Sequence, residues 1–377
     1  DCVGRGEGEE LIPEYLDNLD NLKIVSGLTW RLNGEVVHNP DRPLISDLDQ
    51  FPYPDRKSLP IEYIESMPMD TPAVLSLDRF CTMQTTRGCP FKCIYCDIPS
   101  LARGKWRSRS PEHVLGEMQQ LNDDGYRSIY LTDDHFLMQR KRIETICNGI
   151  IDKKLEFHWG CEGRVDSLAV EELPLMVKAN CTFLAFGVEA GTKKVLDRLK
   201  KNQTLEQIEH AVKQAKKDGI ETTHGFFLVG SPDETVEDIL ESFRFAVRLK
   251  LDTFSFSRLC VYRGTPLWQE YVERGIIEDE RDWHKWFKCS DIDPTILPSE
   301  VVHQARIKGY KQLFVYLLLR RPIATFRLLR KFGRYMTVSD IFKLLWSPFS
   351  KKTKTRKPEL PEWMIEQGLE APARTAS

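Results

Sequence analysis

The chain has 377 residues, of which 41% are hydrophobic and 29% charged, and its formal net charge is −2. This composition is typical of a globular protein with a sizeable core, and it argues against a collagen-like or wholly disordered chain. Because the first residue is Asp and the N-terminus is acidic, we expect a piece of a longer or processed protein, without a signal peptide.

The N-terminal part predicts a β-hairpin. In "KIVSGLTWRLNGEVVHN" two short alternating runs are joined by Asn33 and Gly34, a residue pair typical of a type I′ turn. Five prolines follow within residues 39–60, where no apolar period is visible. We interpret this stretch as a linker that wraps a neighbouring domain.

From residue 80 onward, predicted strands alternate with predicted helices. The strands are expected at 81–86, 127–132, 156–161, 182–188, 221–229 and 253–260. The helices are expected at 110–125, 140–154, 170–180, 204–219 and 235–250. This alternation predicts an α/β fold with a parallel sheet, either as an incomplete barrel or as a doubly wound sheet.

Three of the ten cysteines are clustered, and the other seven are scattered, which argues against a disulfide framework and favours a reducing, cytoplasmic setting. Cys89, Cys93 and Cys96 follow the first predicted strand directly. Such a CxxxCxxC loop can bind three irons of a 4Fe–4S cluster and leave the fourth iron open. Two alternatives are a zinc site completed by His113 or His135, and buried thiols without any metal.

Basic residues are concentrated near the C-terminus. Residues 306–357 contain fifteen Lys and Arg and one acidic residue, Asp340, so this segment carries +14 and the remainder −16. Three interpretations stay open: a solvated helical face packed on the barrel, a helix on an anionic membrane surface, and a cap that contacts substrate. Nucleic acid is disfavoured because no nucleic-acid-binding motif accompanies the charge.

The segment "TTRGCPFKCIYC", residues 85–96, resembles the signature of radical S-adenosylmethionine (SAM) enzymes, including the aromatic Tyr95 before the last cysteine. Three further segments resemble SAM-binding motifs of that family, in the same order: "IYLTDDHF", "FGVEAGT" and "GFFLVGSPDET". The resemblance covers roughly residues 80–265. It implies a 4Fe–4S cluster on the three cysteines and SAM at the open iron.

The resemblance also implies cofactor-binding roles for single residues. Tyr95 belongs to the cluster signature, and Asp133 or Asp134 would receive the methionine ammonium group, although either could instead cap a helix. Many relatives have Gly-Gly-Glu at this point, so which Asp acts is left open. Glu189, at the end of an apolar strand, would face SAM, with a cap or an ion pair as the alternative.

Two more positions follow from the same resemblance. Arg164 would pair with the SAM carboxylate or with Glu189, and a structural pair with Asp166 is the alternative. Gly230 would allow the backbone to approach adenine, or it is an ordinary turn residue. We assign no catalytic residue from the sequence.

Two weaker matches point to one branch of the family. "DCVGRGEGEE" resembles the end of the cobalamin-binding domain of B12-dependent members, and "DLDQFPYPDR" is similar to their linker. The implied fold is a partial (βα)6 TIM-like barrel with a truncated N-terminal remnant of a cobalamin-binding domain and a basic helical C-terminal extension. The expected divisions are 1–50 (domain tail and hairpin), 51–79 (linker), 80–290 (barrel), 291–350 (basic helical region) and 351–377 (disordered tail).

The implied function is radical C–H functionalisation, with cobalamin-dependent methyl transfer as the leading case. The alternative within the family is oxidative cyclisation or ring rearrangement of a porphyrin-like or lipid substrate. Outside the family, the alternative is a metal-stabilised binding protein without catalysis. Expected partners are a small-molecule substrate and an electron donor such as flavodoxin or ferredoxin. We expect a cytoplasmic protein, with peripheral membrane contact through 306–357 as an option.

Overall fold

A parallel sheet and a small antiparallel sheet organise the chain. They are seen in a computed structural model that describes residues 2–58, 79–166, 170–277 and 297–320. The strands are β1 (Cys2–Gly4), β2 (Leu28–Leu32), β3 (Glu35–His38), β4 (Phe80–Met83), β5 (Thr86–Arg87), β6 (Arg107–Ser108), β7 (Ser128–Leu131), β8 (His158–Gly163), β9 (Cys181–Glu189), β10 (Thr222–Val229) and β11 (Thr253–Arg258).

Helices follow most strands of the parallel sheet. They are α1 (Gly8–Asp17), α2 (Ile98–Leu101), α3 (Pro111–Asp123), α4 (Arg140–Asp152), α5 (Leu173–Lys178), α6 (Lys193–Arg198), α7 (Leu205–Asp218), α8 (Val236–Leu249), α9 (Pro266–Glu273) and α10 (Ser299–Arg320). Their ends follow the local sequence. The Ser110 hydroxyl accepts the His113 amide at 3.1 Å where α3 begins, and Gly219 ends α7 with φ of +103°.

The parallel sheet has the strand order β4-β7-β8-β9-β10-β11, which is also the order along the chain. Every neighbouring pair is parallel. A doubly wound sheet reverses its strand order part-way, whereas a barrel adds each strand on the same side. The prediction of a partial six-stranded TIM-like barrel is therefore confirmed, and the doubly wound alternative is wrong.

Alternate residues of the strands face two different layers. One face packs against the helices in a large core that includes Ile129, Leu184 and Phe227. The opposite face carries a smaller aromatic cluster of Tyr130 and Phe183. This period of two places the side chains of the second face inside the curved sheet, where a barrel protein binds its ligands.

The N-terminal residues form their own three-stranded antiparallel sheet, in the order β1-β2-β3. The predicted hairpin joins β2 to β3, and Asn33 and Gly34 have φ of 49° and 90°, as a type I′ turn requires. The helix α1 was not predicted, because Pro13 interrupts its sequence. Glu7 connects this part to the barrel through ion pairs of 2.8 Å with both Arg87 and Arg107.

The described part of the C-terminal region packs on the barrel. Val302, Ala305 and Leu313 of α10 belong to the large core, and the Phe256 amide donates to the Tyr310 hydroxyl at 3.2 Å. Residues 321–377, which hold half of the predicted basic helical region and the whole predicted tail, lie outside the described residues. Across the described parts of the chain, no helix has the length and apolar character needed to cross a membrane.

Candidate active site

The three clustered cysteines lie on the loop between β5 and α2. This loop turns sharply at Gly88, which has φ of +88°. A Cβ atom at this position would lie 2.1 Å from the Lys105 carbonyl oxygen, so only glycine fits. Cys93 is buried, and Cys89 and Cys96 are half-buried. The loop lies near the carboxyl ends of two strands, since Gly88 binds Asp134 just after β7 and Cys93 contacts Arg164 just after β8.

Each of the three sulfurs is placed beside a hydrogen-bond donor. The backbone amide of Phe91 donates to Cys89, and the backbone amide of Ile98 donates to Cys96. Arg164 Nη1 lies 3.4 Å from Cys93 Sγ. N–H donors stabilise sulfur in its anionic, metal-bound form. The donor set therefore fits a 4Fe–4S cluster bound by three thiolates.

Two of the three thiols have raised pKa values. Burial raises the pKa of Cys89, and it raises the pKa of Cys96 to about 11. Among the described residues, no three His, Cys, Asp or Glu side chains are arranged to hold a single metal ion. The two histidines considered as a fourth zinc ligand make other contacts. His113 accepts a hydrogen bond from Arg109 Nε at 2.9 Å, and the His135 ring packs on Phe91.

Arg164 pairs with Asp166, which was the structural alternative, and not with Glu189. Its Nε and Nη2 atoms lie 3.0 and 2.8 Å from the two carboxylate oxygens of Asp166. The guanidinium also donates to the Lys201 carbonyl oxygen and lies 3.8 Å from the centroid of the Phe91 ring. These contacts fix the side chain beside the cysteine loop.

Glu189 forms a buried ion pair at the end of β9. Its Oε1 atom lies 2.7 Å from Lys201 Nζ, and the two residues are only 7% and 5% exposed. Gly187 leaves the space for this pair, because a Cβ there would lie within 2.8 Å of both charged groups. The Tyr95 hydroxyl also hydrogen-bonds Glu189. Lys201 was missed by sequence reasoning, since no motif includes it.

The two aspartates after β7 support the cysteine loop. Asp133 is buried and accepts from the Thr85 amide, the Thr85 hydroxyl and the Thr86 amide at 2.5, 2.6 and 2.7 Å. Burial raises the pKa of Asp133, and these hydrogen bonds oppose the rise. Asp134 is exposed, and its Oδ2 accepts the Gly88 amide at 2.6 Å. Neither caps a helix with its side chain.

Gly230 lies just after β10 and has φ of +86°, a backbone conformation that favours glycine. The amides of Gly230 and Ser231 both donate to Glu234 Oε2, at 2.6 and 2.9 Å. Sequence reasoning missed Glu234, although its place in a Ser-Pro-Asp-Glu turn was a usable signal. Glu234 thus holds the loop after β10, the loop that the sequence analysis expects to approach adenine.

Further polar groups lie on the inner face of the sheet and were also missed. The Tyr130 hydroxyl donates to Glu162, and burial raises the pKa of that carboxyl. On β10, His224 contacts the Thr253 hydroxyl at 2.8 Å, and burial lowers the pKa of its imidazole to about 4. The inner face therefore offers an acidic group and a neutral imidazole to a bound molecule.

Comparison with known proteins identifies the family. Residues 83–246 match the model of the radical SAM superfamily. The uncharacterized methyltransferase PH0819 of Pyrococcus horikoshii is 31% identical over 348 residues, which cover 91% of this chain and 70% of that protein. This chain belongs to the radical SAM superfamily. The predicted family, with its 4Fe–4S cluster and SAM as cofactors, is thus confirmed.

Two further similar proteins differ in their named activities. The anaerobic magnesium-protoporphyrin IX monomethyl ester cyclase of Rubrivivax gelatinosus is 30% identical over 286 residues, which cover 73% of this chain and 49% of that protein. The methyltransferase TsrM from Kitasatospora setae, solved with cobalamin and a 4Fe–4S cluster, shares the fold with a TM-score of 0.62 at 19% identity. That match covers 73% of this chain and 56% of TsrM. The chain thus spans about half to 70% of the length of these relatives.

Proposed function

We propose that this chain is the radical SAM part of a cobalamin-dependent methyltransferase that transfers a methyl group to an unactivated carbon. The observation that carries the proposal is the cysteine loop, in which each of three sulfurs receives an N–H donor at the carboxyl ends of parallel strands. The methyltransferase name of the Pyrococcus horikoshii relative and the cobalamin bound in TsrM support the choice of reaction.

Cys89, Cys93 and Cys96 would hold the cluster, which when bound supplies the electron that cleaves SAM into methionine and a 5′-deoxyadenosyl radical. The methionine part of SAM carries one ammonium and one carboxylate group. Glu189 and Lys201 present the complementary charges side by side, 2.7 Å apart. We assign these two residues to the methionine group, because each can exchange its present partner for a SAM group of the same charge.

The remaining predicted residues would complete the SAM site. Tyr95 would orient Glu189 through its hydroxyl, and Gly230 would bring the loop after β10 to adenine. Of the two aspartates, Asp134 is the better candidate for the ammonium group, because Asp133 is buried and occupied by three hydrogen bonds. Arg164 is bound to Asp166, so its proposed contact with the SAM carboxylate has less support.

A cyclase is the second candidate, and the Rubrivivax gelatinosus relative favours it at nearly the same identity. The reactions differ in their product, because methyl transfer from labelled SAM adds a labelled carbon to the substrate whereas cyclisation removes hydrogen from it. The proposed partners are a small organic substrate and a one-electron donor such as flavodoxin or ferredoxin. Peripheral contact with an anionic membrane is supported only by the charge of residues 306–357.

The test is anaerobic reconstitution of the chain with iron and sulfide, followed by reductant and SAM. We expect a brown protein that forms 5′-deoxyadenosine, and no product from a variant with all three loop cysteines changed to Ala. Cys2→Ala is the matched control, because Cys2 is an exposed free cysteine on β1. A colourless protein that binds zinc and leaves SAM intact would contradict the proposal and favour a metal-stabilised binding protein.

The transferred group is tested separately with the reconstituted chain in the presence of added cobalamin. SAM labelled in its methyl group should label the cobalamin. Formation of 5′-deoxyadenosine without methylated cobalamin would favour the cyclase.

A further inference from the structure

Arg164 is the charged donor among the three groups that face the cysteine sulfurs. Its Nη1 atom lies 3.4 Å from Cys93 Sγ, whereas Cys89 and Cys96 receive backbone amides. The residue is only 7% exposed, so water screens this charge weakly. A guanidinium that is paired with Asp166 thus lies against one ligand of the proposed cluster.

The guanidinium has little freedom to turn away from the sulfur. Asp166 binds its Nε and Nη2 atoms in a fork, and Nη2 also donates to the Lys201 carbonyl oxygen at 2.5 Å. The Phe91 ring covers one face of the plane at 3.8 Å. With the other nitrogens occupied, Nη1 is the part of the fork that points to Cys93.

Reduction adds one negative charge to a cluster that already carries three thiolates. A cation that donates a hydrogen bond to a ligand sulfur stabilises the reduced state more than the oxidised state. We propose that Arg164 is a positioning residue that raises the reduction potential of the cluster through Cys93, and that it is not a ligand of the SAM carboxylate. This inference rests on the proposed function, because it requires the cluster to be bound.

The test measures the midpoint potential of the reconstituted full chain, without SAM, by redox titration monitored with electron paramagnetic resonance. In Arg164→Gln we expect the equilibrium constant for reduction to fall roughly tenfold or more, which is about 59 mV for one electron. Arg164→Lys keeps the charge but loses the fork, so its potential should lie between the other two. Arg198→Gln is the matched control, since Arg198 is an ion-paired arginine on α6 away from the sulfurs.

Several results would overturn the inference. An Arg164→Gln potential equal to that of wild type, with weaker SAM binding in equilibrium dialysis, would make Arg164 a SAM ligand. An equal shift of the midpoint potential in Arg198→Gln would show that the effect comes from the net charge of the protein and not from the contact with Cys93. If both Arg164 variants fail to hold iron while Arg198→Gln holds it, Arg164 serves assembly and not potential. A wild-type chain that binds no cluster would instead refute the proposed function itself.

Discussion

Glu234 is expected to make the stability of this protein depend on pH. Its side chain is buried, only 3% of the residue is exposed, and burial raises the pKa of the carboxyl from 4.5 to about 7. Hydrogen bonds from the Ser231 and Gly230 amides oppose this rise. Among nearby charged groups, Asp238 adds to the rise and Lys194 opposes it. The second carboxyl oxygen, Oε1, is buried without a hydrogen-bond partner in the described residues.

The sign of the effect follows from where the proton is held more tightly. The folded protein keeps the Glu234 proton up to about pH 7, whereas the unfolded chain loses it near pH 4.5. The stabilisation is therefore fully present below pH 4.5 and is lost as the pH rises through 7. At about 1.4 kcal/mol for each pH unit, the difference corresponds to at most about 3–4 kcal/mol.

The measurement compares urea unfolding of wild type and Glu234→Gln at several pH values between 4.5 and 8. Glutamine keeps an acceptor oxygen for the two amides but cannot ionise, so the variant should become the more stable protein, relative to wild type, as the pH rises. Glu237→Gln is the control, because Glu237 is an exposed glutamate in the first turn of α8, which begins just after Glu234. A constant difference between wild type and Glu234→Gln over this pH range would refute the reasoning.

Three further changes test the site. Lys201→Met leaves Glu189 buried without its cation and should lower the free energy of unfolding by about 3–5 kcal/mol, whereas also changing Glu189 to Leu should recover part of the loss in the same urea titration. Gly88→Ala should reduce iron bound per chain with an unchanged far-ultraviolet circular dichroism spectrum, because its Cβ would meet the Lys105 oxygen; full loading would contradict the steric argument. Asp133→Asn should cost about 1–3 kcal/mol, and an unchanged unfolding midpoint would show that its hydrogen bonds contribute nothing.

The barrel was predictable because its signals are local. Apolar strands of the parallel sheet are short and bounded by Gly, Pro and helix-capping residues, and such residues appear within a few positions of each strand. Among the strand ends, the largest error was at the first strand, expected to end at residue 86 but ending at Met83. The amides of Thr85 and Thr86 bind the side chain of Asp133 instead of a neighbouring strand. A side chain 47 positions away ended the strand, and no local pattern reveals that.

The site was predictable only where a motif marks it. The three cysteines are recognisable from their spacing, and Asp166 was a named alternative partner of Arg164. The contact of Glu189 with Lys201 and that of Arg164 with Cys93 have no local signal. Lys201 follows a short helix and binds Glu189, which lies 12 residues earlier in the chain. Arg164 contacts Cys93, which lies 71 residues earlier. Such pairings depend on how the loops at the carboxyl ends of the strands fold together. Which loops lie next to each other depends on the order of the strands in the sheet, and a sequence shows that order only indirectly.

The segment Thr132-Asp133-Asp134 departs from the Gly-Gly-Glu of many relatives, and the structure gives that departure a physical role. Asp133 accepts the amides of Thr85 and Thr86, and Asp134 accepts the amide of Gly88. Two adjacent carboxylates therefore hold three backbone amides immediately before Cys89. A loop held by charge-assisted hydrogen bonds keeps its sulfurs in place before iron arrives. The residues that follow β7 thus determine the shape of the cysteine loop, whatever further contact the exposed Asp134 makes to a bound ligand.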